Sequence, residues 1–203
     1  MINSEVENET KFLLCAARKE DFVTWRTETL LNNYKPYSSG DHLIVYYEDS
    51  MNAFYEGNHT FRITYRKVDG VDKHRVTFKR SEYSDDFSIR TCTEFHYPLT
   101  KDLNPLKRCI KKKDIPKEAL DCMELQGNLY RECWIRVNRN RVNINGIKCE
   151  LDICKTNKGV YFEELETEEV ITKEWVSALE KDIGPLWQSN VNKYKRTVLV
   201  NQM

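Results

Sequence analysis

Val6-Glu7-Asn8-Glu9-Thr10-Lys11-Phe12 carries a charged side chain at every second position. Side chains in an extended strand alternate between faces, so Glu7, Glu9 and Lys11 share one face. The pattern recurs along the chain. Arg62, Thr64 and Arg66 share a face, with Phe61, Ile63 and Tyr65 opposite; Arg75, Thr77 and Lys79 follow, with Val76 and Phe78 opposite. Arg90 and Glu94, then Lys148, Glu150 and Asp152, then Glu164, Glu166 and Glu168, continue it. One charged face suits a solvated sheet carrying cross-strand ion pairs. Acidic strands at both ends of the strand order, with basic strands between, suit a sheet that closes on itself. Closure would make the acidic strands neighbours and set the basic ones across a lumen.

Working outward, period-two patterning predicts strands over Glu5–Leu14, Leu43–Tyr47, Thr60–Val68, His74–Lys79, Phe87–Pro98, Leu129–Asn138, Gly146–Cys154 and Val160–Thr167. Asp69-Gly70 and Asn145-Gly146 are hairpin signals, and strands joined by tight turns are antiparallel. Helical spacing predicts two helices. Arg18–Asn33 would bury Phe22, Trp25, Thr29 and Leu30; Thr172–Ile183 would bury Trp175, Leu179 and Ile183 and stop at Gly184-Pro185. A weaker helix is read from Ile115 to about Leu125. The expected fold is mainly β (α+β): a closed eight-stranded antiparallel β-barrel with helices packed outside, one domain over residues 1–203.

The chain of 203 residues has 32 basic and 32 acidic side chains, so no overall basic field grips nucleic acid. A polyanion would have to be held by a local site. No run reaches the roughly 18 apolar residues of a membrane helix, and the mixed polar start resembles no export signal. Seven cysteines without C-x-x-C spacing are read as reduced thiols, and an intracellular, non-membrane protein is expected. The four histidines, at 42, 59, 74 and 96, form no cluster in sequence and receive no catalytic role.

An enclosed lumen of mixed charge has a chemical meaning. Grouped carboxylates repel one another unless a divalent cation neutralises them, and hard oxygen ligands suit Mg²⁺ or Mn²⁺. Confined Arg and Lys side chains need an anion. A linear triphosphate meets both demands, because its oxygens accept forks from Arg and also ligate the metal.

At these residues the sequence resembles the CYTH, or triphosphate tunnel metalloenzyme, superfamily. Glu7 to Phe12 is similar to its E-x-E-x-K-F signature. Arg62, Thr77 to Lys79, Arg90 to Glu94, Arg136 to Arg141, Glu150 to Asp152, Glu164 to Glu166 and Lys193-Tyr194 resemble its later motifs, in order. The resemblance implies metal binding by Glu7, Glu9, Glu164 and Glu166, with Glu166 and Glu168 as an alternative second pair. It implies phosphate binding by Lys11, Arg62, Lys79, Arg90, Arg136, Arg139, Arg141 and Lys193, with two registers open between Arg136 and Arg141. Glu94 and Asp152 would act in catalysis, orienting basic neighbours or water.

Arg62-Ile63-Thr64 and Glu164-Leu165-Glu166-Thr167-Glu168 resemble the metal-dependent mRNA 5′-triphosphatases of that superfamily, whereas Lys11-Phe12-Leu13-Leu14 is nearer its bacterial type. The implied substrate is the 5′-triphosphate end of RNA, with an RNA guanylyltransferase as partner in mRNA capping. Inorganic triphosphate or thiamine triphosphate is the alternative, and a non-catalytic polyphosphate-binding module a further one. Lys107, Arg108, Lys111, Lys112 and Lys113 form a basic run that would suit either a phosphate-attracting mouth or a solvated loop.

Overall fold

A computed structural model describes residues 3–17, 24–68, 71–81, 90–98, 108–115, 120 and 127–202. Its strands are β1 (Asn3–Ala17), β2 (Ser38–Glu48), β3 (Thr60–Val68), β4 (Val71–Ser81), β5 (Arg90–Pro98), β6 (Cys109–Ile110), β7 (Leu129–Ile144), β8 (Ile147–Thr156), β9 (Tyr161–Thr167) and β10 (Trp187–Gln188). Eight close into an antiparallel barrel in the order β1-β5-β4-β3-β2-β7-β8-β9 and back to β1. Each predicted strand is found, most of them longer than expected, and residues 87–89 of the predicted Phe87–Pro98 lie outside the described residues. β1 makes the closure by dividing its pairing: residues 3–9 pair with β5 and residues 10–17 with β9. The two-residue strands are additions, β6 on β7 and β10 on β1.

The β7–β8 hairpin turns on Asn145 and Gly146, with φ of 50° and 91°. Two successive left-handed residues match the twist of the flanking strands, which is why Asn-Gly marks the turn. Asp69-Gly70 lies outside the described residues, but its flanks, Val68 and Val71, pair as a hairpin requires.

Two helices cover the outer face of β1, β7, β8 and β9. In Lys173–Ile183, Trp175, Leu179 and Ile183 are buried, Thr172 caps the first turn and Gly184 ends the helix at φ 75°. Trp25–Asn33 is shorter than predicted, because Thr24 caps it by accepting from the Thr27 amide. Leu30 is buried as expected, but Trp25 is 56% exposed, and residues 18–23, with Phe22, lie outside the described residues. Both helices pack on Leu14, Val142, Leu151 and Leu165. Buried Glu163 fixes the first: it accepts from the Thr24 amide (2.9 Å), the Thr24 hydroxyl (2.5 Å) and the Thr27 hydroxyl (2.7 Å).

A second apolar cluster joins Phe61, Ile63 and Phe78 on the outer face to Ile44, Ile135 and Phe162 on the inner one. Of the predicted segment 115–125 only two residues are described: Ile115, extended after a 3-10 turn at Lys112–Asp114, and Leu120, which is helical. No helix among the described residues is long and apolar enough to cross a membrane.

The helix Lys193–Val200 was not read from the pattern, and it buries Lys193, Tyr194, Arg196 and Thr197. Its cap, Asn192, accepts from the Lys195 amide (2.7 Å) and donates to the carbonyls of Asn58 and His59 (2.6 and 3.1 Å). Glu48 holds it from below, accepting from the Tyr194 hydroxyl at 2.9 Å and from the amides of Asp49, Phe54 and Tyr55. This helix sets Lys193 into the barrel.

Candidate active site

The alternating inner positions of the strands converge on a cavity of about 310 Å³. Of the predicted residues, Glu7, Lys11, Arg62, Lys79, Glu94, Arg139, Arg141, Glu166 and Lys193 line it. Glu5, Tyr46, Arg75, Glu150, Glu168 and Asn192 also line it and were not assigned roles, apart from Glu168 as an alternative metal ligand. Its walls bring six carboxylates, Glu5, Glu7, Glu94, Glu150, Glu166 and Glu168, against seven cations, Lys11, Arg62, Arg75, Lys79, Arg139, Arg141 and Lys193. Such a near-balanced set suits neither a bare cation nor a bare anion alone.

Three lysines tie the strands together. Lys79 Nζ on β4 lies 2.8 Å from Glu7 Oε2 and 2.7 Å from Glu94 Oε1, and also contacts Glu9. Lys11 Nζ lies 3.0 Å from Glu9 Oε2 and 3.1 Å from Glu166 Oε2. Lys193 Nζ contacts Asp152 and lies 3.2 Å from Glu164 and 3.8 Å from Glu166. Arg139 forms a two-pronged pair with Asp152, Nε to Oδ1 at 2.8 Å and Nη2 to Oδ2 at 2.7 Å, and also meets Glu150. Arg141 reaches Glu150 at 3.0 Å, and Arg62 reaches Glu94 at 3.3 Å.

These partners set the charges. Burial would lift Asp152 and Glu94, but Arg139 and Lys193 hold the first well below the usual carboxylate range, and Arg62 and Lys79 hold down the second. Burial likewise opposes the charge on Lys79 and Lys193, yet Glu9 and Glu94 around the one, and Asp152 and Glu164 around the other, keep both protonated. Glu7 and Glu168 behave differently. Glu7 is raised by burial, with Glu94 and Glu9 adding to it against Lys79, and Glu168 is pushed up to about 7 by burial and then by Glu7 and Glu166.

Four predicted residues sit apart from the cavity surface. Glu9, Asp152 and Glu164 are buried behind it, and Glu164 is fully enclosed between Lys193 and Arg196. Arg136 stands on the outer wall, exposed, with its guanidinium carbon 6.0 Å from the Trp134 ring. Period two places Arg139 and Arg141 inward and Arg136 outward; the register Arg139↔Asp152 and Arg141↔Glu150 resolves the ambiguity. Arg90 pairs in register with Glu9, and its side chain lies outside the described residues. Of the basic run, Lys107 lies outside the described residues. Arg108 and Lys111 flank β6, and Lys112 and Lys113 lie in the 3-10 turn, beside Leu129 and Tyr130, roughly 30 Å of strand from Arg139 and Arg141.

Two of the histidines do enter the barrel. His96 Nε2 lies 2.7 Å from Glu5 and 3.3 Å from Glu94, and His42 is held down at about 4 by burial and by Arg139, with Arg66 and Arg141 adding to it. Among the described residues, two groups bring three ligand atoms within 4.8 Å of one another: Glu7, Glu9 and Cys92, and Glu5, Glu94 and His96. The cysteines at 15, 92, 109, 133, 149 and 154 form no disulfide among the described residues, and Cys122 lies outside them.

Two donors on the lumen wall stand out. The Tyr46 hydroxyl and Arg62 Nε are buried with no hydrogen-bond partner among the described residues, and the two residues are register partners on β2 and β3. Buried donors are nearly always satisfied, so two unpaired ones side by side in the cavity wall mark a place where an acceptor belongs.

No protein-family model and no curated protein matches the sequence. Solved structures do. HpAC1 of Hippeastrum, an adenylyl cyclase candidate described as having a dominant triphosphatase activity, superposes with a TM-score of 0.66 at 15% identity, covering 95% of each chain. An adenylate cyclase candidate of Bacillus halodurans gives 0.65 at 15% identity over 95% of this chain and 97% of its own. The PH1819 protein of Pyrococcus horikoshii gives 0.56 at 16% over 96% and 99%. At that identity the likeness is one of fold: the chain has the barrel architecture of these proteins along almost its whole length.

Proposed function

We propose that the lumen is the active site of a metal-dependent triphosphatase that removes the terminal phosphate of a triphosphate, with the 5′-triphosphate end of RNA as its substrate class. The observation that carries this is the enclosure of six carboxylates and seven cations around one small cavity whose wall also holds two unpaired buried donors. The fold shared with a protein described as a triphosphatase supports the reaction class. The Arg62-Ile63-Thr64 strand and the third acid of the Glu164, Glu166, Glu168 row support RNA within that class.

The donor set fits a divalent cation. Glu7 and Glu168 are lifted by burial and by neighbouring carboxylates, a crowding that a hard cation relieves. Glu7 and Glu9, whose carboxylate oxygens lie within 4.8 Å of each other, would hold Mg²⁺ or Mn²⁺ together with Glu166 and Glu168, the one of the two pairings open in the sequence that lines the cavity. Such an ion neutralises developing charge on the phosphates and makes a bound water a better nucleophile. The chain's own residues do the positioning. Arg62 Nε and the Tyr46 hydroxyl donate to phosphate oxygens, joined by Lys193, Arg139 and Arg141. Asp152 and Glu94, held ionised, fix the orientation of those cations. Water adds to the terminal phosphorus, the bond to the bridging oxygen breaks, and phosphate and a diphosphate end separate.

Tripolyphosphate is the second reading, favoured because the six carboxylates and seven cations of the wall suit phosphates and a metal ion, and none of them needs a nucleoside. An RNA guanylyltransferase partner and an intracellular setting follow from the RNA assignment and are proposed with it. Purified protein offered triphosphate-ended RNA, tripolyphosphate, thiamine triphosphate and ATP, each with Mg²⁺ or Mn²⁺, is expected to release phosphate fastest from RNA. Faster release from tripolyphosphate overturns the RNA assignment; no release from any of them leaves a polyphosphate-binding module.

A further inference from the structure

The outer wall of the barrel carries a row of side chains that the lumen does not use. His74 on β4, Tyr65 on β3, Leu43 on β2, Arg136 on β7, Lys155 on β8 and Tyr161 on β9 are each the register partner of the next. They form one cross-strand ladder over six strands, about 24 Å at the usual strand spacing. The ladder lines a groove of about 650 Å³. Planar rings stand at both ends: exposed His74, backed by buried Tyr65 at 4.8 Å between centroids, and Tyr161, whose ring lies 5.2 Å from Lys155 Nζ. Cations occupy the middle. The only acid among the lining residues, Asp41, accepts from Asn138 at 2.9 Å.

We infer that this groove binds single-stranded nucleic acid. Rings separated by cations match an alternation of bases and phosphates: bases stack on aromatic faces whatever their sequence, and Arg and Lys track the backbone. A row of about 24 Å is comparable with the shortest single-strand sites, about four nucleotides. A duplex would present no free base faces, and an acidic peptide would use the cations but leave the rings idle. The inference stands apart from the lumen, because a strand lacking any triphosphate would still bind.

The test uses a fluorescent eight-nucleotide RNA with a 5′-hydroxyl end, so that phosphate hydrolysis plays no part. Anisotropy titrations from 50 to 200 mM salt are run on the wild type, Arg136→Ala with Lys155→Ala, and Tyr161→Ala, with thermal melting of each as the check on folding. The double variant is expected to bind roughly tenfold more weakly at 100 mM salt, with a log–log salt slope shallower by about 1.4, two charges at about 0.7 each. Tyr161→Ala is expected to lose about tenfold in affinity with the slope unchanged. Lys111→Ala with Lys112→Ala, on the basic run, should bind as the wild type does. The inference is overturned if the wild type does not bind the strand, if the folded groove variants bind it equally well, if a duplex of the same length binds as tightly, or if poly-glutamate competes as well as RNA.

Discussion

Lys11 and Glu166 are register partners on the two strands at which the barrel closes, and their side chains meet, Nζ to Oε2, at 3.1 Å. Glu166→Gln keeps the shape and removes the charge. Lys11 retains Glu9 at 3.0 Å, so no buried cation is stranded and the melting temperature should move by only a few degrees. Phosphate release should fall at least about a hundredfold, because a hard cation loses an anionic ligand. A variant with unchanged rate would place the metal elsewhere.

Lys79 compensates Glu7, Glu9 and Glu94 together. Lys79→Met leaves those carboxylates facing one another in a buried space and should cost about 3–5 kcal/mol of unfolding free energy. Mg²⁺ should then raise the melting temperature of the variant more than that of the wild type, since the ion replaces the missing charge. Calorimetry with and without 10 mM Mg²⁺, taken as a roughly saturating level, measures both.

Asp152→Asn gives a pH-dependent penalty. The carboxyl is held below its ordinary value by Arg139 and Lys193, so its stabilising effect is complete above the unfolded pKa of about 4 and is lost as pH falls through the folded value. Urea unfolding should show a gap of about 3–5 kcal/mol between wild type and variant at pH 7, narrowing below about pH 4. A gap constant down to pH 2, roughly the acid limit of the method, would mean that the carboxylate is not held by those two cations.

His42 should titrate late. Burial and the nearby Arg139, Arg66 and Arg141 disfavour its charged form, so the NMR midpoint is expected at about 4. The sign follows: the native state takes up its proton at lower pH than the unfolded chain does, and this histidine removes stability as pH falls from about 6.5 to 4. Tripolyphosphate, by offsetting the arginines, should move the midpoint upward.

Much of the barrel was legible because period two is a local property. Glu7, Glu9 and Lys11, or Arg62 and Thr64, announce a common face from spacing alone, and Asn145-Gly146 announces its turn. Closure is not local: it depends on β1 changing partners midway, which no window of sequence contains. The helix Lys193–Val200 escaped notice because it faces a charged lumen, burying Lys193 and Arg196 instead of an apolar stripe. Tyr46 lies within an apolar run, Leu43 to Tyr47, where its unpaired hydroxyl has no sequence signature. Arg136 was grouped with Arg139 by proximity in the chain, although an odd offset sends the two to opposite sides of a strand.

The divided pairing of β1 also bears on how the molecule is made. Thr10 finds its partner in Thr167, so a ribosome that has finished β1 must add roughly 150 further residues, some 8 to 30 s of synthesis, before β9 emerges. Until then one flank of β1 is an unsatisfied ladder of amides and carbonyls, and Lys11 has no Glu166. Nascent chains should therefore stay open to chaperones and proteases until very late, and acquire the reaction chamber in a single closing step.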